Sequence, residues 1–85
     1  MTSPARQFLS SVILVRKRLI RTNAGRKYDR SMDITIMWAE DLLNRCPNDF
    51  TVREFLRKHA NRIRELIPAK NSNDKRIITL NKLIA

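Results

Sequence analysis

The chain has 85 residues, and its 18 basic against eight acidic side chains leave a formal net charge of +10. That length allows one small domain, residues 1–85, with a modest core. One glycine, three prolines and few aromatics exclude a β-sandwich, and the lone cysteine, Cys46, excludes an internal disulfide and a Cys-rich zinc site. What remains is an all-α reading: a helical bundle of three main helices and a short C-terminal one.

The first helix is predicted over residues 4–22. Ser3 is a good N-cap, Pro4 fits the first helical position, and Asn23, Ala24 and Gly25 give a left-handed stop. At about 100° per residue, Ala5, Phe8, Leu9, Val12, Ile13, Val15, Leu19 and Ile20 share one broad arc. An arc that wide predicts more than one neighbouring helix. Arg6, Lys17, Arg18 and Arg21 lie opposite. Two residues break the pattern: Leu14 falls on the basic side and Arg16 in the middle of the apolar arc. A buried unpaired guanidinium is very costly. Arg16 therefore snorkels to an edge, pairs with a carboxylate of another helix, or marks a surface that faces a partner. The apolar run Val12 to Val15 is short and followed by Arg16, Lys17 and Arg18, so it is no secretory signal. From Met1 to Tyr28 there are seven basic residues and no acidic one, the composition of a mitochondrial presequence. Against that, the core needs the same helix.

A basic connector follows, with Arg26, Lys27 and Arg30 around Tyr28. The tyrosine suits either the end of the core or a stack on a base. The second helix is predicted over residues 30–46, capped by Asp29 or Ser31. Met32, Ile36, Ala39, Leu42, Leu43 and Cys46 line one face, with Trp38 at its edge, so Cys46 reads as a small buried hydrophobe. Asp33, Glu40 and Asp41 make this the acidic helix, and the acids can balance arginines of a neighbour, Arg16 included. Ile34 and Met37 point away from the apolar face. With Trp38 and Leu14 they form a candidate interface for a homodimer or a protein partner.

Pro47 to Asp49 turn the chain into a third helix, predicted over residues 52–67. Thr51 and Glu54 have capping-box spacing, Phe50 and Phe55 that of a hydrophobic staple, and Pro68 ends the helix. Val52, Phe55, Leu56, His59, Ala60, Ile63, Leu66 and Ile67 share a face on which His59 reads as a core or edge histidine. Arg53, Arg57, Asn61 and Arg64 form an adjacent strip aimed at something negative. The corner before this helix resembles a helix-turn-helix only weakly, because its turn has no glycine. After a polar loop, a short helix is predicted over residues 74–84, with a cap among Ser72 to Asp74. Ile77, Leu80, Leu83 and Ile84 share its face, and Ile78 lies off it. So short a helix must dock to be stable.

The sequence offers no catalytic constellation. His59 has no cysteine, serine or acid near it in sequence, and Glu40 and Asp41 are adjacent, so they point to different sides of a helix. Gly25 stands alone, so there is no phosphate loop, and no metal-ligand spacing occurs. The expectation is a non-enzymatic binder without metal or cofactor. A charge of this size attracts polyanions, nucleic acid first and anionic membrane surface next. No apolar run approaches the roughly 20 residues of a membrane span. One candidate nucleic-acid surface is Arg53, Arg57, Asn61 and Arg64. The other is Lys17, Arg18, Arg21, Arg26 and Lys27. A helical turn rises about 5.4 Å, close to the spacing of phosphates on a strand, and arginine forks grip phosphates without reading sequence. With few aromatics to stack on bases, a duplex of RNA or DNA, met by shape, is the expected partner. The rival expectation is a small helical adaptor or assembly factor, possibly mitochondrial in location, that binds an acidic protein. The first reading places the chain in nucleus or cytoplasm.

Overall fold

Ser3 starts the first helix as its position before Pro4 requires. Its hydroxyl accepts the Arg6 N–H at 3.1 Å and its carbonyl the Gln7 N–H at 3.0 Å. The computed structural model describes residues 3–21, 30–68, 71 and 73–85, the side chains of residues 20 and 21 excepted. Over these residues the chain is all-α, with helices α1 (Pro4–Arg21), α2 (Arg30–Asn44), α3 (Asp49–Lys58), α4 (Ala60–Leu66) and α5 (Lys75–Ile84), and no strand. No described helix is long and apolar enough to cross a membrane. The stop at Asn23 to Gly25, the cap Asp29, Tyr28 and Ser72 lie outside the described residues.

The apolar arc of α1 packs against all four other helices, while α2 packs on α4 and α3 on α5. Leu9, Val12 and Ile13 of α1 meet Met32, Ile36 and Ala39 of α2, Val52 and Leu56 of α3, Ile63 and Leu66 of α4, and Leu80 and Leu83 of α5 in one cluster. Fully burying each large side chain stabilises the fold by about 1.5–3 kcal/mol. Thr35 is buried too, and its hydroxyl donates to the Ser31 carbonyl at 2.9 Å, which removes the cost of the polar group. At the far end, Asp74 caps α5 by accepting the Arg76 N–H at 2.8 Å.

Four local expectations are corrected. The third helix begins at Asp49, not after Thr51. Its cap is Asn48, whose side-chain oxygen accepts the Thr51 N–H at 2.8 Å. Asparagine is a stronger cap than threonine, and an acid in the first turn suits the helix dipole. Glu54 pairs with Arg57 instead of closing a capping box, and Phe50 is 69% exposed, so no staple forms. The helix also divides at His59, whose backbone (φ −116°, ψ 27°) leaves the helical region. Hydrogen bonds persist on both sides, His59 N–H to Phe55 carbonyl at 3.0 Å and Ile63 N–H to His59 carbonyl at 2.9 Å, so α3 and α4 meet at a bend rather than a loop. The result is five helices among the described residues where three and a short one were expected. Finally, Cys46 is exposed and left-handed (φ 50°), beyond the end of α2. Pro47 keeps the preceding residue out of the right-handed helical region, which expels the thiol from the core.

Arg16 is only 5% exposed, and its partners are backbone groups rather than a carboxylate. Nε donates to the Leu66 carbonyl at 2.9 Å and Nη2 to the Glu65 carbonyl at 3.2 Å. These carbonyls lie in the last turn of α4, where helical carbonyls lack intrahelical partners. Ile67 takes the extended conformation that Pro68 imposes. Glu40, the acid expected to balance Arg16, pairs with Lys17 at 2.5 Å.

Asp49 joins the starts of two helices. One carboxylate oxygen accepts the Ala5 N–H at 3.3 Å and the other the Arg53 Nε–H at 2.5 Å. The hydrogen bond from Arg53, followed by those from Ala5 and Ser3, holds this carboxyl below the usual range against the opposing effect of desolvation. The folded state therefore releases this proton more readily than the unfolded chain. Its contribution to stability is present above the unfolded value of about 4 and is lost as pH falls through the folded value. Asp74, held down by Arg76, acts in the same direction. Urea unfolding at about pH 5 and about pH 2 should show a smaller loss of stability for Asp49→Asn than for the wild type. Equal losses would mean that Asp49 is not linked to folding.

Candidate nucleic-acid interface

The arginines of the strip Arg53, Arg57, Asn61 and Arg64 do meet acceptor groups, and these belong to the chain itself. Arg53 Nη1 donates to the Leu83 carbonyl at 3.4 Å, and Arg57 Nε to the Ile84 carbonyl at 3.1 Å. Both acceptors lie in the last turn of α5, where helical carbonyls lack intrahelical partners and carry partial negative charge. Arg64 donates to Asn61 at 3.0 Å and to Asn81 of α5 at 2.9 Å. The strip therefore serves as a clamp that holds α5 on α3 and α4. Arg57 also pairs with Glu54, and Arg53 with Asp49.

A second cluster lies at the bend. Arg57, Lys58, His59, Ala60, Asn61 and Arg62 line a hollow of about 260 Å³, and no carboxylate is among them. Lys58 and Arg62 are exposed and form no ion pair with the described residues. The guanidinium of Arg62 sits 5.6 Å from the centre of the Trp38 ring, a cation–π distance. His59 is half-buried between α2 and α3, with ring centres 4.7 Å from Phe55 and 5.3 Å from Trp38. It is an edge histidine. Burial, then the charges of Lys58 and Arg62, push its pKa below the usual imidazole range.

Arg57 and Asn61 are thus brought into the hollow, whereas Arg53 and Arg64 turn to α5. Lys58 and Arg62 were missed by a sequence reading that followed the single strip of Arg53 to Arg64. Their own four-residue spacing was the available signal. On the other surface Lys17 pairs with Glu40, and Arg18 is exposed. The Arg21 side chain, Arg26 and Lys27 lie outside the described residues. Of the candidate partner residues, Leu14 is 50% exposed, Met37 59% and Trp38 40%, while Ile34 is half-buried. Leu14 lines a second hollow of about 400 Å³ with Arg6, Gln7, Ser10, Ser11 and Leu43.

Among the described residues no three of His, Cys, Asp and Glu gather to hold a metal ion. Comparison with protein-family models, with curated proteins and with solved structures finds no match to this chain.

Proposed function

We propose that this chain is a non-enzymatic nucleic-acid-binding protein that grips the phosphate backbone of an RNA or DNA duplex by shape. The observation that carries the reading is the carboxylate-free hollow at the bend, on a chain of net charge +10. Four carboxylates (Glu40, Asp41, Asp49 and Asp74) are taken up by ion pairs elsewhere in the fold, and Glu54 is taken up by Arg57 at the edge of the hollow. They leave Lys58 and Arg62 to outside anions. Arg57 and Asn61 border the same hollow, and Lys17, Arg18, Arg21, Arg26 and Lys27 extend the basic surface. Arginine and lysine hold phosphates firmly but read no bases. Trp38 has Arg62 over its ring, which discourages stacking on single-stranded bases. Such a role suits nucleus or cytoplasm.

The test is fluorescence anisotropy against double-stranded RNA, double-stranded DNA and a single strand at two salt concentrations. Tight, salt-steep binding to a duplex is the expected result. The double variant Lys58→Ala, Arg62→Ala should reduce the log–log salt slope by about one, for the phosphate that the two side chains share. Weak and equal binding to all three would overturn the reading.

One observation favours a second reading, a small helical adaptor for an acidic protein partner. Leu14 stands half-exposed in an open hollow beside Arg6, and Met37 and Trp38 add apolar surface on α2. The acid-free N-terminal segment gives that reading a mitochondrial location. An interface with an apolar centre would lose little affinity in salt, which separates the two readings.

A further inference from the structure

His59 is the single histidine of the chain and stands where α3 gives way to α4. Two aromatic rings hold its own ring in place: Phe55 at a tilt of 54° and Trp38 at 40°. On its open side it lines the hollow with Arg57, Lys58, Asn61 and Arg62. A volume of about 260 Å³ is below the roughly 300–1,000 Å³ of pockets that enclose a whole small molecule. It suits one phosphate group. The charges that act on the ring are Lys58 of α3 and Arg62 of α4, both positive, while Arg57, which also lines the hollow, is paired with Glu54 of its own helix. From α2 the ring meets Trp38, while Asp41 of that helix is paired with Arg45. A neutral imidazole offers one N–H, and an imidazolium offers two.

We propose that the hollow is a proton-linked phosphate seat: Lys58 and Arg62 hold one phosphate group, and His59 takes up a proton as the anion arrives and becomes a third donor to it. The proposal rests on the nucleic-acid reading above and adds the group that is seated and its control by pH. In the free protein burial, then Lys58 and Arg62, keep the imidazole below its usual range, so it is neutral at pH 7. A phosphate placed among these cations offsets their repulsion of the ring and accepts a hydrogen bond from its charged form, which favours that form. The bound pKa then exceeds the free one, and linkage requires uptake of a proton between the two values. The gain in affinity is complete below the free value and absent above the bound one. A rise of about one unit makes the complex about tenfold tighter at the acid limit than at the alkaline limit.

Because the chain has one histidine, its imidazole resonances need no assignment. Their pH titration by NMR is followed in the free protein, with saturating duplex, and with inorganic pyrophosphate. In parallel, duplex affinity is measured at about pH 5.5 and about pH 7.5, on either side of the usual imidazole value, for the wild type and His59→Gln. The midpoint should rise with duplex and with pyrophosphate. The wild type should bind several-fold tighter at the lower pH, and His59→Gln equally at both. Duplex binding with an unmoved midpoint overturns the seat and leaves the backbone-gripping reading standing. Failure to bind any duplex overturns that reading instead. In that case a midpoint raised by pyrophosphate still supports the seat, and an unmoved one overturns both. The NMR measurements use the wild-type chain, so the outcome does not depend on the variant folding.

Discussion

Arg16→Met lowers the stability of the protein by about 2–3 kcal/mol. Methionine keeps most of the volume and removes every donor. The carbonyls of Glu65 and Leu66 then lose the Arg16 donors, and that of Leu66 is enclosed by the packing of α1 against α4. An orphaned buried acceptor costs about 1–3 kcal/mol. One term works in the opposite direction, since the variant no longer takes a guanidinium out of water. That term offsets only part of the loss, because the carbonyls belong to the backbone and no substitution removes them. Arg16→Ala adds a cavity and should cost about 3–4 kcal/mol. A domain of this size has a total stability of about 4–13 kcal/mol, and each kcal/mol moves its melting temperature by about 4–8 °C. Arg16→Met should therefore melt about 10 °C or more below the wild type when followed by circular dichroism. An unchanged melting temperature would mean that the two hydrogen bonds contribute nothing net. Arg16→Lys discriminates further: it keeps the charge but lacks the planar fork that reaches two carbonyls.

The arcs of the helices were legible in the sequence because burial leaves a period. Leu9, Val12 and Ile13, Val52 and Leu56, and Leu80 and Leu83 all lie in the core as their spacing requires, and Leu14, Met37 and Ile78 lie off it. The starts at Pro4 and Asp74 and the stop at Pro68 were legible for the same kind of reason, since capping and proline act locally. The bend at His59 was not. It has neither proline nor glycine and coincides with a ring contact to Trp38, a residue 21 positions away. The destination of the arginines was hidden for a different reason. Sequence shows charges on side chains, and a strip of arginines reads as a search for carboxylates or phosphates. The groups that Arg16, Arg53 and Arg57 find are carbonyls at the ends of α4 and α5. Every residue has a carbonyl, and only the fold decides which of them are left over. The hollow at the bend shares this dependence, because it exists only where the helix divides.

Changing Arg53, Arg57 and Arg64 together to alanine should destabilise the protein by about 2 kcal/mol and weaken its duplex binding only slightly. The three side chains supply the donors for the Leu83 carbonyl, the Ile84 carbonyl and Asn81. Hydrogen bonds of this kind contribute about 0.5–1.5 kcal/mol each, and the partly exposed positions of Arg57 and Arg64 put them at the lower end. Some loss also comes from the aliphatic stems, which cover apolar surface next to α5. Hydrogen exchange should locate the effect: amides of Lys75–Ile84 lose protection first, because α5 is too short to persist undocked. The same variant tests how the strip divides its work. Only Arg57 of the three lines the hollow. If the strip is a clamp, the salt slope of duplex binding falls by about one; if all three arginines grip phosphates, it falls by about three. A fall of three with α5 still protected would return the strip to the nucleic-acid surface. A fall of one with α5 loosened identifies the clamp, and any further drop in affinity is then traced to the unfolded fraction, not to lost phosphate contacts.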